Sequence, residues 1–96
     1  MEIIVGGRIM TKRWAYNIKR KYKISVDQYI DAFNKQDGKC AICFDDRCFP
    51  LFVDHCHKTK TARGLICRKC NYGIALFKDD ISTVERLLGY LRYAKL

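Results

Sequence analysis

Hydrophobic residues recur at helical spacing in two stretches of the N-terminal half of the chain. Trp14 and Ile18 lie four residues apart with basic residues around them, which predicts a helix over residues 11–22 whose aromatic face packs in the core, with a base-stacking surface as the alternative. Ser25 begins a capping-box pattern, and apolar residues follow it at the spacing of one helical face. We therefore predict a second helix that begins after Ser25 and is stopped by Gly38.

The middle of the chain has a different pattern, in which strand-like segments flank a polar one. Aromatic and β-branched residues dominate positions 48–53, positions 58–61 are polar, and positions 64–66 are mostly apolar. Two strands joined by a turn have this pattern. A short apolar run at 74–77 then predicts a helix that starts near Asn71. The centre of the chain is thus predicted to be a β-hairpin followed by a helix.

The two ends of the chain are also patterned. The apolar residues 3–5 precede Gly6 and Gly7, so this segment is either a short strand or a loose terminus. Near the other end, Ser82 repeats the helix-start signal, and an apolar stripe interrupted by Gly89 follows it. We predict a C-terminal helix there. Gly89 is either simply tolerated or allows another helix to approach closely, as in a homodimer through this helix. The members of the stripe are Val84, Leu87, Leu88 and Leu91.

The charge of the chain is strongly positive and unevenly distributed. The 96 residues, enough for a single domain, carry a formal net charge of +9. Residues 1–24 contribute +6 and residues 54–78 contribute +5, whereas residues 25–53 contribute −2. The two basic blocks indicate a polyanionic partner, most simply DNA or RNA, although solvated charge for solubility is an alternative. Candidate phosphate-binding residues in the first block are Arg13, Lys19 and Arg20.

Composition and pattern suggest how the single domain is organised and where it acts. We distinguish a basic N-terminal segment, residues 1–24, from a core, residues 25–96, that holds all six cysteines and both histidines. No apolar run approaches the ~18 residues that a membrane-spanning helix needs, and the N-terminus lacks the regions of a secretory signal. We therefore expect a cytoplasmic protein with no membrane contact. In that reducing compartment clustered cysteines bind metal more often than they form disulfides.

Four of the six cysteines form two C-x2-C pairs: Cys40 with Cys43, and Cys67 with Cys70. Each pair can place two thiolates on one ion, and two pairs complete the tetrahedral sulfur site of structural zinc. A thioredoxin-like redox pair is the rival interpretation, but no βαβ pattern surrounds either pair. We expect the remaining Cys48 and Cys56 to be buried as small hydrophobic residues. A second zinc that uses them with the histidines is the alternative.

Both histidines of the protein fall within residues 54–57, beside the cysteine frame. Metal-dependent cleavage of a phosphodiester needs oxygen ligands for a hard cation, an imidazole that takes a proton from water, and cations that hold the phosphate. Asp54 and Asn71 can supply the oxygens, and His55 can be the base. Zinc ligation or a structural role is the alternative for the histidines. Candidate phosphate clamps in this block are Lys58, Lys60, Arg63, Arg68 and Lys69.

Strand geometry sets a condition on this site. In a regular strand His55 and His57 share one face, and Asp54 points to the other. Asp54 and His55 can therefore act on one phosphate only if the chain twists or bulges between them.

Several runs of residues carry a family resemblance in both residue type and order. Beside the two C-x2-C pairs they are Val53-Asp54-His55-Cys56-His57-Lys58-Thr59, Arg63-Gly64-Leu65-Ile66-Cys67, Asn71 and Phe77-Lys78-Asp79-Asp80. Together they closely resemble the recombination endonuclease VII family, a branch of the HNH or His-Me finger nucleases found largely in bacteriophages. The resemblance covers roughly residues 20–91. One departure is Ile74, which stands near a position where the family has a further carboxylate.

The resemblance implies a fold, a set of roles and an activity. The fold is a small α+β zinc-bound domain with a ββα-metal, treble-clef-like core and flanking helices. The four paired cysteines would bind structural zinc, and Asp54 and Asn71 would hold a catalytic Mg2+ or Mn2+. His55 would activate water, and His57 would support the phosphate or the base. The activity is that of a DNA endonuclease or nickase on double-stranded or branched DNA, with 5′-phosphate and 3′-hydroxyl products.

Two other functions stay open on the sequence. The chain could be a non-catalytic zinc-dependent module that binds DNA. It could instead be a phage protein that binds a host factor through the same basic surface.

Overall fold

A short hairpin opens the chain in the computed structural model, which describes residues 2–96. Strand β1 (Ile3–Val5) pairs antiparallel with β2 (Arg8–Met10). Gly6 and Gly7 connect them with φ angles of 59° and 77°. Positive φ at both central residues defines the two-residue turn that matches the twist of a hairpin, and glycine adopts it without steric cost. The first of the two alternatives for this segment, a short strand, is therefore the one observed.

Two helices follow the hairpin, and both begin where the sequence predicts. Helix α1 (Lys12–Tyr22) is capped by the hydroxyl of Thr11, which accepts a backbone N–H of the first turn at 3.0 Å. Helix α2 (Val26–Lys35) starts with a complete capping box, in which Ser25 and Gln28 each accept the backbone N–H of the other. Such caps satisfy donors that a helix start leaves without partners.

The aromatic face of α1 packs in the core, as predicted. Ile18 is buried, and the rings of Trp14 and Tyr29 meet edge to face with centroids 4.9 Å apart. Tyr29 is fully buried, and its hydroxyl donates to the carbonyl of Leu51 at 2.6 Å. Burial raises the pKa of Tyr29 to about 12, so the hydroxyl remains a donor. The other buried residues of the described chain are Val5, Cys40, Leu51, Val53, Leu65, Ile66 and Cys67.

A β-hairpin and a helix form the centre of the chain, which confirms that prediction with shifted boundaries. The strands are β3 (Phe52–His55) and β4 (Ala62–Ile66), paired antiparallel. The first strand begins later than predicted, because Pro50 has no N–H to offer a partner strand. Helix α3 (Arg68–Leu76) begins before Asn71, where we predicted its start.

The early start of α3 has a local cause. Cys67 is its N-cap, and the Sγ atom of Cys67 accepts the backbone N–H of Cys70 at 3.4 Å. The second C-x2-C pair therefore forms the first turn of the helix, and Asn71 comes directly after that turn.

The side chain of Gln36 ties the end of α2 to β4. Its Nε2 donates to the carbonyls of Lys39 at 2.7 Å and Leu65 at 2.9 Å. Its Oε1 accepts the backbone N–H of Leu65 at 3.1 Å. The next residues lead into the first cysteine pair, and the N–H of Ala41 also donates to Leu65 at 3.0 Å. The turn of the first C-x2-C pair is thereby fixed against the hairpin.

Helix α4 (Ile81–Tyr93) ends the chain. Its N-cap is Asp80 and not Ser82 as predicted: the Asp80 carboxylate accepts the backbone N–H of Ser82 at 3.2 Å and the hydroxyl of Thr83 at 2.7 Å. Aspartate caps a helix as well as serine does, and Asp80 comes before Ser82 along the chain, so the helix begins after Asp80. The molecule measures 59 × 28 × 18 Å, and most of the apolar stripe of α4 is exposed. No helix in the described part of the chain has the length and apolar character needed to cross a bilayer.

Candidate functional site

The two C-x2-C pairs meet at one point of the structure. The Sγ atoms of the four paired cysteines all lie within 4.8 Å of one another, and those of Cys43 and Cys67 are 3.7 Å apart. A tetrahedron with the ~2.3 Å Zn–S bonds of structural sites has edges of about 3.8 Å. The predicted four-cysteine cluster is confirmed, and its spacing fits zinc. The members are Cys40, Cys43, Cys67 and Cys70.

Backbone N–H groups point at the sulfur atoms of this cluster. The Sγ of Cys40 accepts from Ile42 at 3.4 Å and from Cys67 at 3.3 Å. Burial alone would raise the pKa of the Cys40 thiol, but hydrogen bonds, that of Cys43 foremost, lower it to about 6. Burial and the neighbouring sulfurs raise the pKa of Cys70 to about 12. The cluster thus favours some thiolate charge, and a cation is required to balance four thiolates.

Cys48 and Cys56 lie outside the cluster. Both are half-buried, so the prediction that they are buried is wrong; Cys56 stands where the hairpin leaves the core for an exposed turn. Hydrogen bonds from Thr59, its side chain foremost, lower the pKa of Cys56 to about 7. Within residues 2–96 no second group of three or more cysteine, histidine or acidic side chains has its ligand atoms this close together. The alternative of a second zinc therefore has no support.

A groove of about 660 Å³ runs beside the hairpin and α3. Its walls come from the end of α1, from β3 and the residues that follow it, and from α3. The structure thus brings together residues that are distant in sequence but that we predicted for one site. They are Asp54, His55, His57, Arg68, Lys69 and Asn71.

The hairpin is irregular where the predicted site requires it. The pairing of β3 and β4 is regular up to Asp54, which lies opposite Gly64, whereas His55 lies opposite Ala62. Arg63 is therefore one extra residue on β4, a β-bulge opposite the step from Asp54 to His55. Asp54 and His55 line the same groove, which meets the condition that strand geometry sets.

The bulged residue, Arg63, contacts two carboxylates. Its Nε and Nη2 donate to the two oxygens of Asp54 at 2.7 and 3.0 Å. Its Nη2 also lies 3.3 Å from Oδ1 of Asp79. The hydrogen bonds with Asp54 raise the pKa of Arg63, so the guanidinium stays charged. We predicted that Arg63 clamps a phosphate, but here the bulge directs it to Asp54, whose side chain is only 12% exposed.

Three aromatic rings pack together at the groove. The ring centroids of His55 and His57 are 4.8 Å apart, and the ring of Tyr22 lies 5.3 Å from His55. Tyr22 is the last residue of α1, so the basic N-terminal helix reaches the groove through this side chain. The Nε2 atom of His57 lies 3.5 Å from Oδ2 of Asp79. His55 thus packs near both of these rings.

The predicted basic residues fall into separate sets. Arg68 and Lys69 line the groove. Lys58 lines a neighbouring cavity of about 760 Å³, on the side of Arg63 and Lys78. The remaining predicted residues are exposed and lie outside both cavities; they are Lys60, Arg13, Lys19 and Arg20.

Two residues of this site were missed from the sequence. Tyr22 was predicted only as part of a helix. Its position as the last residue of that helix was the one sequence signal that it could contact the site. Asp79 belongs to one of the runs that carry the family resemblance, yet no local pattern assigns it a contact. Both reach the histidines through tertiary packing.

These features define a class of protein. A small α+β domain holds a four-cysteine cluster beside a groove that combines a carboxylate, an amide, two imidazoles and basic side chains, donors that suit a hard cation and a phosphate. The sequence model of recombination endonuclease VII matches residues 15–93. The chain therefore belongs to the recombination endonuclease VII family, and the resemblance seen in the sequence is confirmed.

Two curated phage proteins are similar to this chain. The Gene 59 protein of Mycobacterium phage D29 is 37% identical over 82% of this chain and 50% of its own length. The Gene 59 protein of Mycobacterium phage L5 is 37% identical over 81% of this chain and 49% of its own length. The chain thus spans about half the length of these relatives. No solved structure gives a significant match.

Proposed function

We propose that this chain is a metal-dependent DNA endonuclease or nickase whose substrates include branched DNA. The observation that carries the proposal is the shared groove of Asp54, His55 and Asn71 in a member of the recombination endonuclease VII family. The order of hairpin and α3 supports assignment to the ββα-metal, or His-Me finger, fold of the HNH nucleases.

The donors of the two sites fit two different cations. Four soft sulfur ligands in a closed cluster suit structural zinc. The Asp54 carboxylate and the Asn71 amide carbonyl suit Mg2+ or Mn2+, which take few protein oxygens and complete their shell with water and phosphate. Each oxygen of Asp54 accepts one hydrogen bond from Arg63, which leaves it the capacity for a further partner. When bound, this ion would polarise the phosphate and stabilise the departing 3′ oxygen.

His55 is the proposed general base. One of its ring nitrogens would take the proton of the attacking water, whose oxygen forms the new bond to phosphorus as the bond to the 3′ oxygen breaks. The products would be a 5′-phosphate and a 3′-hydroxyl. The rings of Tyr22 and His57 restrict the orientation of this imidazole, which supports its role. His57 would support the phosphate or the base.

Basic side chains would hold the DNA backbone around this centre. Arg68 and Lys69 occupy the first turn of α3 and line the groove, where charge-assisted hydrogen bonds to phosphate oxygens are favourable. Because Tyr22 brings α1 to the groove, the basic residues of α1 would extend the contact along the backbone. These are Arg13, Lys19 and Arg20.

We also propose a homodimer through α4. Val84, Leu88 and Leu91 are exposed at 47%, 48% and 72%, and an amphipathic helix usually covers such a stripe. Light scattering after gel filtration should show a dimer that Leu88→Glu converts to a monomer, whereas Glu85→Gln leaves it intact. A monomeric wild-type chain would refute this part of the proposal.

Cleavage of defined DNA substrates tests the proposed activity. Linear, nicked, branched and single-stranded DNA would be incubated with the protein in Mg2+ or in EDTA. His55→Ala should lower cleavage by roughly 10²-fold or more and leave DNA binding little changed. Asn34→Ala, on the exposed surface of α2 and outside the groove, is the matched control and should cleave like wild type.

The outcomes separate the alternatives. Cleavage by His55→Ala at the wild-type rate would remove the proposed base. A wild-type protein that binds DNA without cutting it would favour the non-catalytic DNA-binding module. A protein that neither binds nor cuts DNA would favour a host-factor-binding role.

A further inference from the structure

Asp79 lies in the short connection between α3 and α4, facing the catalytic hairpin. Its Oδ2 atom is 3.5 Å from Nε2 of His57, and its Oδ1 atom is 3.3 Å from Nη2 of Arg63. One carboxylate therefore contacts a groove histidine with one oxygen and the arginine that orients Asp54 with the other. This side chain is only 23% exposed, whereas that of His57 is 67% exposed.

The backbone presents Asp79 to the hairpin in a fixed conformation. Lys78 and Asp79 both have left-handed φ angles, 54° and 57°, a region that few non-glycine residues adopt and that aspartate tolerates better than most. The N–H of Asp79 donates to the carbonyl of Ile74 at 3.2 Å. The end of α3 is thereby linked to the position of this carboxylate, and Asn71 lies about one turn earlier on the same helix.

The distances indicate what kind of contribution these contacts make. Ion pairs with partly exposed partners contribute little to stability, so the loss of Asp79 should hardly affect folding. Catalysis is more sensitive, because a displacement of about 1 Å at a reacting group can cost on the order of 10²-fold in rate. A residue of this kind acts on the rate and not on the melting temperature.

We propose that Asp79 is a positioning residue of the nuclease site, which fixes the His57 imidazole and the Arg63 guanidinium relative to each other across the hairpin. The inference rests on the proposed function, since it assigns a role within that site. Asp79 itself touches neither a reacting atom nor a metal ligand; it acts through His57 and Arg63.

The test compares Asp79→Asn with Asp80→Ala, a change at the adjacent carboxylate. Asparagine keeps the shape of the side chain and tolerates left-handed φ, so Asp79→Asn removes the charge alone. Asp80 caps α4, so Asp80→Ala should lower the melting temperature and leave kcat unchanged. Asp79→Asn should leave the melting temperature unchanged and lower kcat by about tenfold or more, with little change in KM.

A second readout does not depend on activity. The chain has two histidines, so the imidazole nitrogens of both can be assigned by NMR. Asp79→Asn should shift the Nε2 signal of His57, whereas Asp80→Ala should shift neither histidine. Unchanged His57 signals would overturn the proposal, as would an unchanged kcat or a fall in kcat that only follows a fall in melting temperature. If wild type itself does not cleave DNA, the proposed function fails, and the NMR comparison alone decides whether Asp79 positions His57.

Discussion

Replacing Cys67 with serine should abolish the cooperative folding of the core around the four-cysteine cluster. Cys67 is fully buried, caps α3 and belongs to the four-cysteine cluster, so the change removes a zinc ligand and weakens a helix start together. Nine residues of the described chain are buried, and two of them, Cys40 and Cys67, belong to the cluster. Structural zinc contributes roughly 10–16 kcal/mol in finger peptides, which equals or exceeds the net stability of about 5–15 kcal/mol of a typical domain.

The assay combines metal content with thermal unfolding. Elemental analysis of wild type should give one zinc per chain, and circular dichroism should show one cooperative transition that is lost with a zinc chelator and restored by zinc but not by Mg2+. Cys67→Ser should bind little zinc and show no cooperative transition. Cys56→Ser is the control, because it removes a half-buried thiol outside the cluster and should keep both zinc and the transition.

One result would refute the reasoning behind this prediction. If Cys67→Ser or chelated wild type kept its transition near the original temperature, the apolar core alone would hold the fold. The cluster would then be a redox or accessory site, and metal binding there would not be what stabilises the domain.

Three further predictions follow from contacts in the core and at the groove. Tyr29→Phe should lower the free energy of unfolding by about 1–3 kcal/mol, because the carbonyl of Leu51 loses its buried donor; urea unfolding measures this, and Tyr16→Phe at an exposed position should change nothing. Tyr22→Leu should slow single-turnover cleavage while DNA affinity stays close to wild type, because the ring that packs on His55 is lost; equal rates would contradict that contact's role. The affinity for DNA should fall steeply with salt, log K against log salt having a slope of about −0.9 per phosphate contacted, and a flat response in a filter-binding series would exclude the basic residues as the DNA contact.

Local patterns predicted the elements because their causes are local. The capping box at Ser25 needs only neighbouring residues. Each C-x2-C pair likewise forms within one short turn, and two such pairs suit a single zinc site. The need for a bulge followed from the alternation of a strand, and the bulge is present. The start of α4 was misplaced because Asp80 and Ser82 are equally good caps and the sequence does not rank them.

Contacts between distant segments were beyond sequence reasoning. Tyr22 reaches His55, and Asp79 reaches His57, only through the packing of helices whose angles no local pattern sets. The partner of Arg63 could not be predicted from the sequence either. Its positive charge suggested a phosphate partner, but Asp54 and Asp79 of the same chain contact the guanidinium. A basic residue in a strongly positive chain can therefore be paired with the protein's own carboxylates.

The side-chain amide of Gln36 couples the opening of the hairpin to that of the elements beside it. By donating to one strand carbonyl and accepting from the same residue's N–H, this side chain occupies the place that a neighbouring strand would take beside β4. Any opening of the hairpin must then release the end of α2 and the first cysteine turn with it. We expect these three parts to exchange their amide protons with solvent as one cooperative unit, with β4, which has hydrogen-bond partners on both sides, as its most protected strand.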